Sequence, residues 1–314
     1  MTPSRQQTDE TLVIAVDVGG TKTAFGLVRF PDGEVIVRDE VKTPQGHASG
    51  VPFLEQVCTI VRKLRDDTPA GISGIGLGVC ELVDLDGSVS STHRVHWQGL
   101  PVLERLRAIA PAIVEADVRA AALAETRWGA GQGFRDLLYL NIGTGISTCW
   151  VKDGVPHAGA HGHALAIASS PMVATCPSCN ARSAYVLEDV AGGAALRKLH
   201  GKATGRDVES AADVIAAAEG GDHRARSLID EAAQLIGVSL GLAINMLDPE
   251  ALVIGGGLGG RPGVYWEAMV TSIRRQIWSD KARQLPIQRA VLGPNVGLIG
   301  AAASRWVRDA AAGR

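Results

Sequence analysis

Aromatic residues are few in this sequence: 4 Phe, 3 Tyr and 6 Trp make up 4% of its 314 positions. A core with so few rings must close through aliphatic and small side chains. Together with 38 glycines and many alanines, this predicts helices packed tightly on a sheet. Cysteine is also scarce. The 5 present are odd in number and scattered, which excludes a disulfide framework and points to a reducing cytoplasmic compartment. Neither sign of charge dominates: Lys+Arg is 31 against Asp+Glu 33, a formal charge of −2. That removes the basic excess expected of a nucleic-acid binder and the charge run of a solvated tail. No apolar run is long and uninterrupted enough for a bilayer, and the polar stretch 1–10, expected as a disordered tail, has no signal-peptide pattern. Neither nucleic acid nor membrane is therefore expected as a partner. A Walker-type G-x-x-x-x-G-K-[ST] loop and a dinucleotide G-x-G-x-x-G fingerprint are both missing. With 46% hydrophobic and 20% charged residues, the chain can build two domains.

The stretch that organises the chain is Asp17-Val18-Gly19-Gly20-Thr21-Lys22-Thr23. It joins two apolar runs with the β-branched and aromatic content of strands, so it reads as a hairpin turn. Its glycines admit a close ligand, its N–H groups suit an anion, and Asp17 suits a hydrated magnesium ion. A third strand over 34–41, a helix over 52–66 and a buried strand over 72–79 follow. A short strand then ends at Glu115-Ala116-Asp117, and an alanine-rich helix covers 118–128. After a connector at 129–136 the pattern restarts: strand 137–142, turn Gly143-Thr144-Gly145, strand 146–151 and a further short extended piece. This is a repeat of topology, not of residue identity.

Positions 159–180 read as a loop and 184–200 as a helix. Further helices are expected over 208–219, 222–246, 265–277 and 296–312, and a buried strand over 252–254 runs into Gly255-Gly256-Gly257. The repeat predicts an α/β protein of two similar domains facing each other across a cleft, 11–128 and 129–295, with the last helix returning to the first domain. Three glycine turns after apolar strands suit a nucleoside triphosphate. Ordinary hairpin glycines are the plainer alternative. Phosphoryl transfer needs a group on the acceptor hydroxyl and donors at the phosphates. Asp117, at a strand end and opening a helix, is the candidate base. It also suits a helix N-cap, and the two roles are compatible.

These motifs, with Ala120-Ala121-Ala122-Leu123-Ala124-Glu125 after Asp117 and the loop 159–170, resemble the ROK family of sugar kinases and regulators over about 12–303. The resemblance implies an actin-like, sugar kinase/hexokinase fold. By matched position it implies Asp17, Gly19, Gly20, Thr21 and Lys22 at the ATP phosphates, with Gly143, Thr144 and Gly145 as the second phosphate turn. Gly255, Gly256 and Gly257 would lie beside the adenosine, and Asp117 would be the base. ATP and Mg²⁺ are the implied cofactors and a homodimer the implied assembly. The repressor branch, which carries an N-terminal helix-turn-helix domain, is not expected, because about ten residues precede the first strand.

The departures point to the acceptor. Ala116-Asp117 stands where the family reads Asn-Asp, Leu165-Ala166-Ile167-Ala168-Ser169 where it reads G-E-I-G-H, and Cys80-Glu81 where it reads Pro-Gly. The residues that hold a hexose are replaced while the base and phosphate turns remain. This implies a sugar-like acceptor other than glucose, such as the amino sugar kanosamine or a C7 cyclitol. Glu81 would face a cationic amine there or be a solvated loop residue. Arg119, in place of a usual asparagine, would touch the acceptor or a surface acid. Relatives often hold zinc with one histidine and three cysteines. Here only Cys176 and Cys179 form a C-x-x-C pair, two of the four ligands a structural zinc needs. His161 and His163 would complete that set or line the acceptor pocket, and a zinc-free pair of loop cysteines is the preferred reading. The competing function is a non-catalytic, kinase-derived sensor or partner subunit.

Overall fold

A computed structural model describes residues 10–46, 50–175, 178–180 and 182–312. Apart from Glu10, the expected tail lies outside the described residues, as does Cys176. In chain order the elements are β1 (Thr11–Val18), β2 (Lys22–Phe30), β3 (Glu34–Lys42), α1 (Gly50–Asp66), β4 (Gly74–Val79), α2 (Val102–Arg107), β5 (Ala112–Ala116) and α3 (Asp117–Trp128). Then come β6 (Leu137–Ile142), β7 (Ile146–Lys152), β8 (Val155–Pro156), β9 (Pro171–Thr175), β10 (Arg182–Val186), α4 (Glu188–Ala191), α5 (Gly193–Thr204), α6 (Ala211–Glu219) and α7 (His223–Leu247). The chain ends with β11 (Ala251–Gly255), α8 (Val264–Gln276), β12 (Ile287–Arg289) and α9 (Val296–Ala312). It forms two compact units: 1–128, 158–164 and 294–314 make the first, 129–157 and 165–293 the second. Segment 158–164, expected in the second domain, thus belongs to the first.

The first unit is a five-stranded sheet in the order β3-β2-β1-β4-β5. β1 to β3 form an antiparallel meander, and β4 and β5 run parallel to β1. Side chains alternate faces along a strand. Ile14, Val16 and Val18 join a core with Phe53, Leu54, Val57, Trp97 and Leu106. Val13 and Ala15 face the other way, into a core with Leu123, Leu298 and Ala302. By the same alternation Asp17 shares the face of Val13 and Ala15, beside α3 and α9. Small residues let these helices approach closely. A Cβ on Gly76 would stand 1.9 Å from the carbonyl oxygen of Ala301, and one on Gly300 would stand 2.1 Å from that of Ala120.

The second unit repeats the topology, with β12-β11-β6-β7-β8 as its sheet order. Its core joins Leu138, Leu140, Leu252 and Ile254 of the strands to Ile229, Ile236 and Leu240 of α7 and to Met269 and Ile273 of α8. α7 corrects one expectation, since its 25 residues are long and apolar enough to cross a membrane by length and composition. Its buried stripe against α8 and the sheet accounts for that composition. A second correction concerns 171–186, expected as loop running into helix. β9 and β10 pair antiparallel there, with Tyr185 opposite Met172. Pairing overrides helix propensity over Ala184-Tyr185-Val186, and the helical stretch that follows is split at Gly192 into α4 and α5.

Candidate active site

Parallel pairing sets Val18, Val79 and Ala116 level at the carboxyl ends of β1, β4 and β5. This is the edge at which α/β sheets bind ligands. Asp17, Cys80 and Asp117 therefore gather there from three distant points in the sequence. Asp117 is the first residue of α3. Its carboxyl is pushed up to about 7 by burial and by the negative charge of Asp17, against the pull of the Val118 N–H. Asp17 is pushed up to about 6 by burial, with Arg38 opposing. Its carboxyl lies on the first turn of α9, where a Cβ on Gly297 would come within 2.0 Å of Oδ2. Burial and these carboxylates also push the Cys80 thiol up, so it is no thiolate nucleophile.

The Gly19–Lys22 turn closes with the Gly19 N–H donating to the Lys22 carbonyl at 3.0 Å. Its carbonyls are tied back towards the segment after β3. Thr43 Oγ1 donates to the carbonyl of Gly19 at 2.7 Å, Gln45 Nε2 to that of Gly20 at 2.8 Å, and the Thr43 N–H to that of Thr21 at 3.0 Å. In a trans peptide the C=O and the next N–H point in opposite directions. The N–H groups of Gly20, Thr21 and Lys22 are therefore turned away from Thr43 and Gln45, as an anion cradle requires. The stem of Arg94 lies beside Gly20, 3.3 Å from where a Cβ would sit. Lys22 Nζ pairs with Glu40 at 2.7 Å across the meander and is largely exposed.

The second unit uses the same device with different parts. The N–H groups of Gly193 and Ala194, the first turn of α5, donate at 3.0 Å to the carbonyls of Gly143 and Thr144. That turns the N–H groups of Thr144 and Gly145 to the opposite side. Glu188 lies against Gly145 and accepts from the Ile146 N–H at 3.2 Å. Gly256, at φ +85°, packs on the end of β6, and any Cβ there would meet the Ile142 carbonyl at 2.2 Å. Gly143 and Gly257 have nothing within 4 Å of a Cβ position, so both leave open room beside the backbone.

The remaining residues singled out in the sequence fall into place differently. Glu81 is buried, and both its oxygens are engaged. It accepts from Ser91 Oγ and the Arg94 N–H, from the His93 N–H at 2.8 Å and from the Val95 N–H at 2.6 Å. It is a latch on loop 91–95, which corrects the expectation of a solvated or amine-facing carboxylate. Arg119 is also buried. It donates to Glu115 at 2.6 Å, to the Gly162 carbonyl and to the Val83 carbonyl at 3.1 Å, so it straps segment 158–164 to the loop after β4. On that strap His163 Nε2 meets Asp84 at 2.8 Å and Ser90 Oγ at 3.1 Å, and His161 is exposed. Cys179 is exposed in the second unit, and no group of three or more metal-ligating side chains occurs among the described residues. Cys176, the other half of the C-x-x-C pair, lies outside the described residues. Sequence reading missed Gly297, Arg94, Thr43 and Gln45. The only local signal was the run of small residues spaced along α9.

Comparison with known proteins agrees with this geometry. The ROK family model matches residues 13–309. A glucokinase from Halalkalibacterium halodurans is 26% identical over 306 residues, covering 91% of this chain and 92% of its own. The bifunctional enzyme NanE/NanK of Brucella suis is 32% identical over 297 residues, 92% of this chain and 52% of its own length. The crystal structure of a ROK family glucokinase from Streptomyces griseus, in complex with glucose and AMPPNP, aligns with a TM-score of 0.78 at 27% identity, covering 93% of this chain and 98% of that one. A match over nearly the whole length, on a twice-repeated sheet with paired glycine turns, leads to one conclusion: the chain belongs to the ROK family, has the actin-like fold of the sugar kinases and is an ATP-dependent carbohydrate kinase.

Proposed function

We propose that the enzyme transfers the terminal phosphoryl group of ATP to a hydroxyl of a sugar-like ring other than glucose, with Asp117 as the base. The observation that carries this reading is the Asp117 carboxyl, raised to about 7 beside Asp17 at the carboxyl edge of the sheet. A base poised near neutral pH takes a hydroxyl proton most effectively at the working pH. As the acceptor oxygen attacks phosphorus, Asp117 accepts its proton and the bond from phosphorus to the ADP oxygen breaks. In the first unit the N–H groups of Gly20 and Thr21 would be the phosphate donors, and in the second unit those of Thr144 and Gly145. Gly255 to Gly257 would leave room for the adenosine. Asp17 is desolvated, with the charge of Arg38 only partly offsetting its burial, a donor that suits hydrated magnesium, whose charge would neutralise the phosphates.

Support for an unusual acceptor comes from Leu165 to Ser169, in place of a glutamate- and histidine-bearing loop. The full engagement of Glu81 leaves any amine to be recognised by other groups. Purified enzyme is to be assayed with glucose, N-acetylmannosamine, kanosamine and valiolone-type cyclitols. An amino sugar or cyclitol is expected as the best acceptor by kcat/KM, and glucose as the clear best would refute the proposal.

Two further results follow from the same geometry. kcat/KM is expected to rise with pH through about 7, because the free enzyme must hold Asp117 deprotonated. In Asp17→Asn the limb should move to lower pH, since the charge that raises Asp117 is gone. An unmoved limb in the residual activity would mean that some other group titrates. Thr43→Val deletes the ties to Gly19 and to Thr23 Oγ1, the latter 2.8 Å away. It is expected to raise the KM for ATP about tenfold, as the loss of roughly one to two hydrogen bonds would. Initial-rate kinetics measure this, and an unchanged KM would show that the turn keeps its shape without Thr43.

A further inference from the structure

His200 lies on α5 in the second unit and is 4% exposed. Neither ring nitrogen has a hydrogen-bond partner, and the nearby Asp222 Oδ2 stands 3.8 Å from Nε2, beyond bonding distance. Burying a polar ring without partners is costly, and such groups call for an explanation. The histidine lines a cavity of about 430 Å³ together with Thr204, Arg206, Asp207, Asp222 and Arg224. From Gly193, which supports the second phosphate turn, to His200 is seven residues of helix, about 10 Å of rise. The cavity lies towards the other end of α5 from that turn.

Its charges are arranged unevenly. Asp222 Oδ1 is committed to the first turn of α7, accepting from the N–H groups of Arg224 at 2.8 Å and Ala225 at 3.1 Å. The positive end of α7 therefore offsets that carboxylate. Arg224 Nη1 holds the Ala203 carbonyl at 2.8 Å. The exposed Arg206 is held through its backbone N–H by Thr204 Oγ1 at 3.2 Å, with no hydrogen bond or ion pair of its guanidinium among the described residues. Two guanidinium groups beside an unsatisfied imidazole suit a phosphate, since arginine forks match its oxygens. Asp207 and the Oδ2 of Asp222, which faces His200 at 3.8 Å, suit hydroxyl groups, and the volume exceeds what a bare phosphate fills.

We propose that this cavity is a second ligand site, separate from the phosphate turns, that binds a small phosphorylated polyol. The phosphate lies between Arg206 and Arg224 with His200 at the inner wall, and the hydroxyls meet the carboxylates.

The test uses the full-length enzyme saturated with AMPPNP, so that the nucleotide site is filled. Glycerol 3-phosphate is titrated against it, with glycerol as control, and followed by thermal denaturation and by the ring NMR signals of His200. A saturable rise in Tm is expected, with the His200 signals shifting at the same midpoint. Arg206→Ala should weaken binding by at least about tenfold. Arg206 is exposed, so the variant keeps its fold, which AMPPNP protection checks. Two results would overturn the proposal: no saturable binding to the wild type, or an unchanged midpoint in Arg206→Ala.

Discussion

Asp117→Asn is expected to lower kcat by about 10³-fold, within the range that a positioned general base contributes, while the KM for ATP stays within about threefold. The amide keeps the shape of the carboxylate but cannot accept the acceptor's proton. The same substitution should make the protein more stable at pH 8. Both Asp17 and Asp117 have folded-state values above the ordinary 3.8, near 6 and 7. Between about pH 4 and 7 the folded state therefore binds more protons than the unfolded chain, and stability falls as pH rises through that window. Above it the wild type holds two buried, mutually repelling carboxylates. Replacing Asp117 with a neutral amide should recover about 4 kcal/mol at pH 8 and nearly nothing at pH 4. Urea titrations at the two pH values read the difference. A variant with near-normal kcat, or one destabilised at pH 8, would place the Asp117 carboxyl outside the chemistry.

Gly297→Ala is expected to cost at least about 10²-fold in kcat/KM without unfolding α9, a loss of the size that follows when a reacting geometry is displaced by about an ångström. In an exposed helix the change would stabilise by about 0.5–1 kcal/mol. Here the new methyl group would stand 2.0 Å from Asp17 Oδ2 and 2.3 Å from its Cγ. A retreat of α9 would give up its close packing on the sheet and on α3, where Gly76 and Gly300 bring backbone against backbone at Ala301 and Ala120. The carboxyl must turn aside, away from the place where it faces Asp117. Circular dichroism should show the helix content retained while activity falls. Activity within about threefold of wild type would mean that the Asp17 position is unimportant to transfer. Gly297→Ser should lose at least as much, since it carries the same Cβ.

Much of the fold was legible without coordinates because its signals are local. The turns at 19–20 and 143–145 announce themselves through glycines between apolar runs, and 296–312 through helical spacing. Residues 171–186 misled because strand pairing is decided by a partner. Nothing in Ala184-Tyr185-Val186 states that Met172 will lie opposite Tyr185. The roles of Glu81 and Arg119 were hidden for a related reason. Each is a charged residue in a motif position, and only folding shows its oxygens or nitrogens satisfied by backbone groups.

From its own sequence this protein determined the twice-repeated strand pattern, the two glycine turns and the carboxylate that opens α3. Each depends on the conformational preferences of neighbouring residues. Tertiary structure alone decided that Asp17 and Asp117 share one sheet edge, that Gly297 is the residue of α9 set against Asp17, and that the turn carbonyls are tied back by Thr43 in one unit and by α5 in the other. Those contacts join residues far apart in the chain. Their energies come from burial and charge at a site that exists only when the strands are in register.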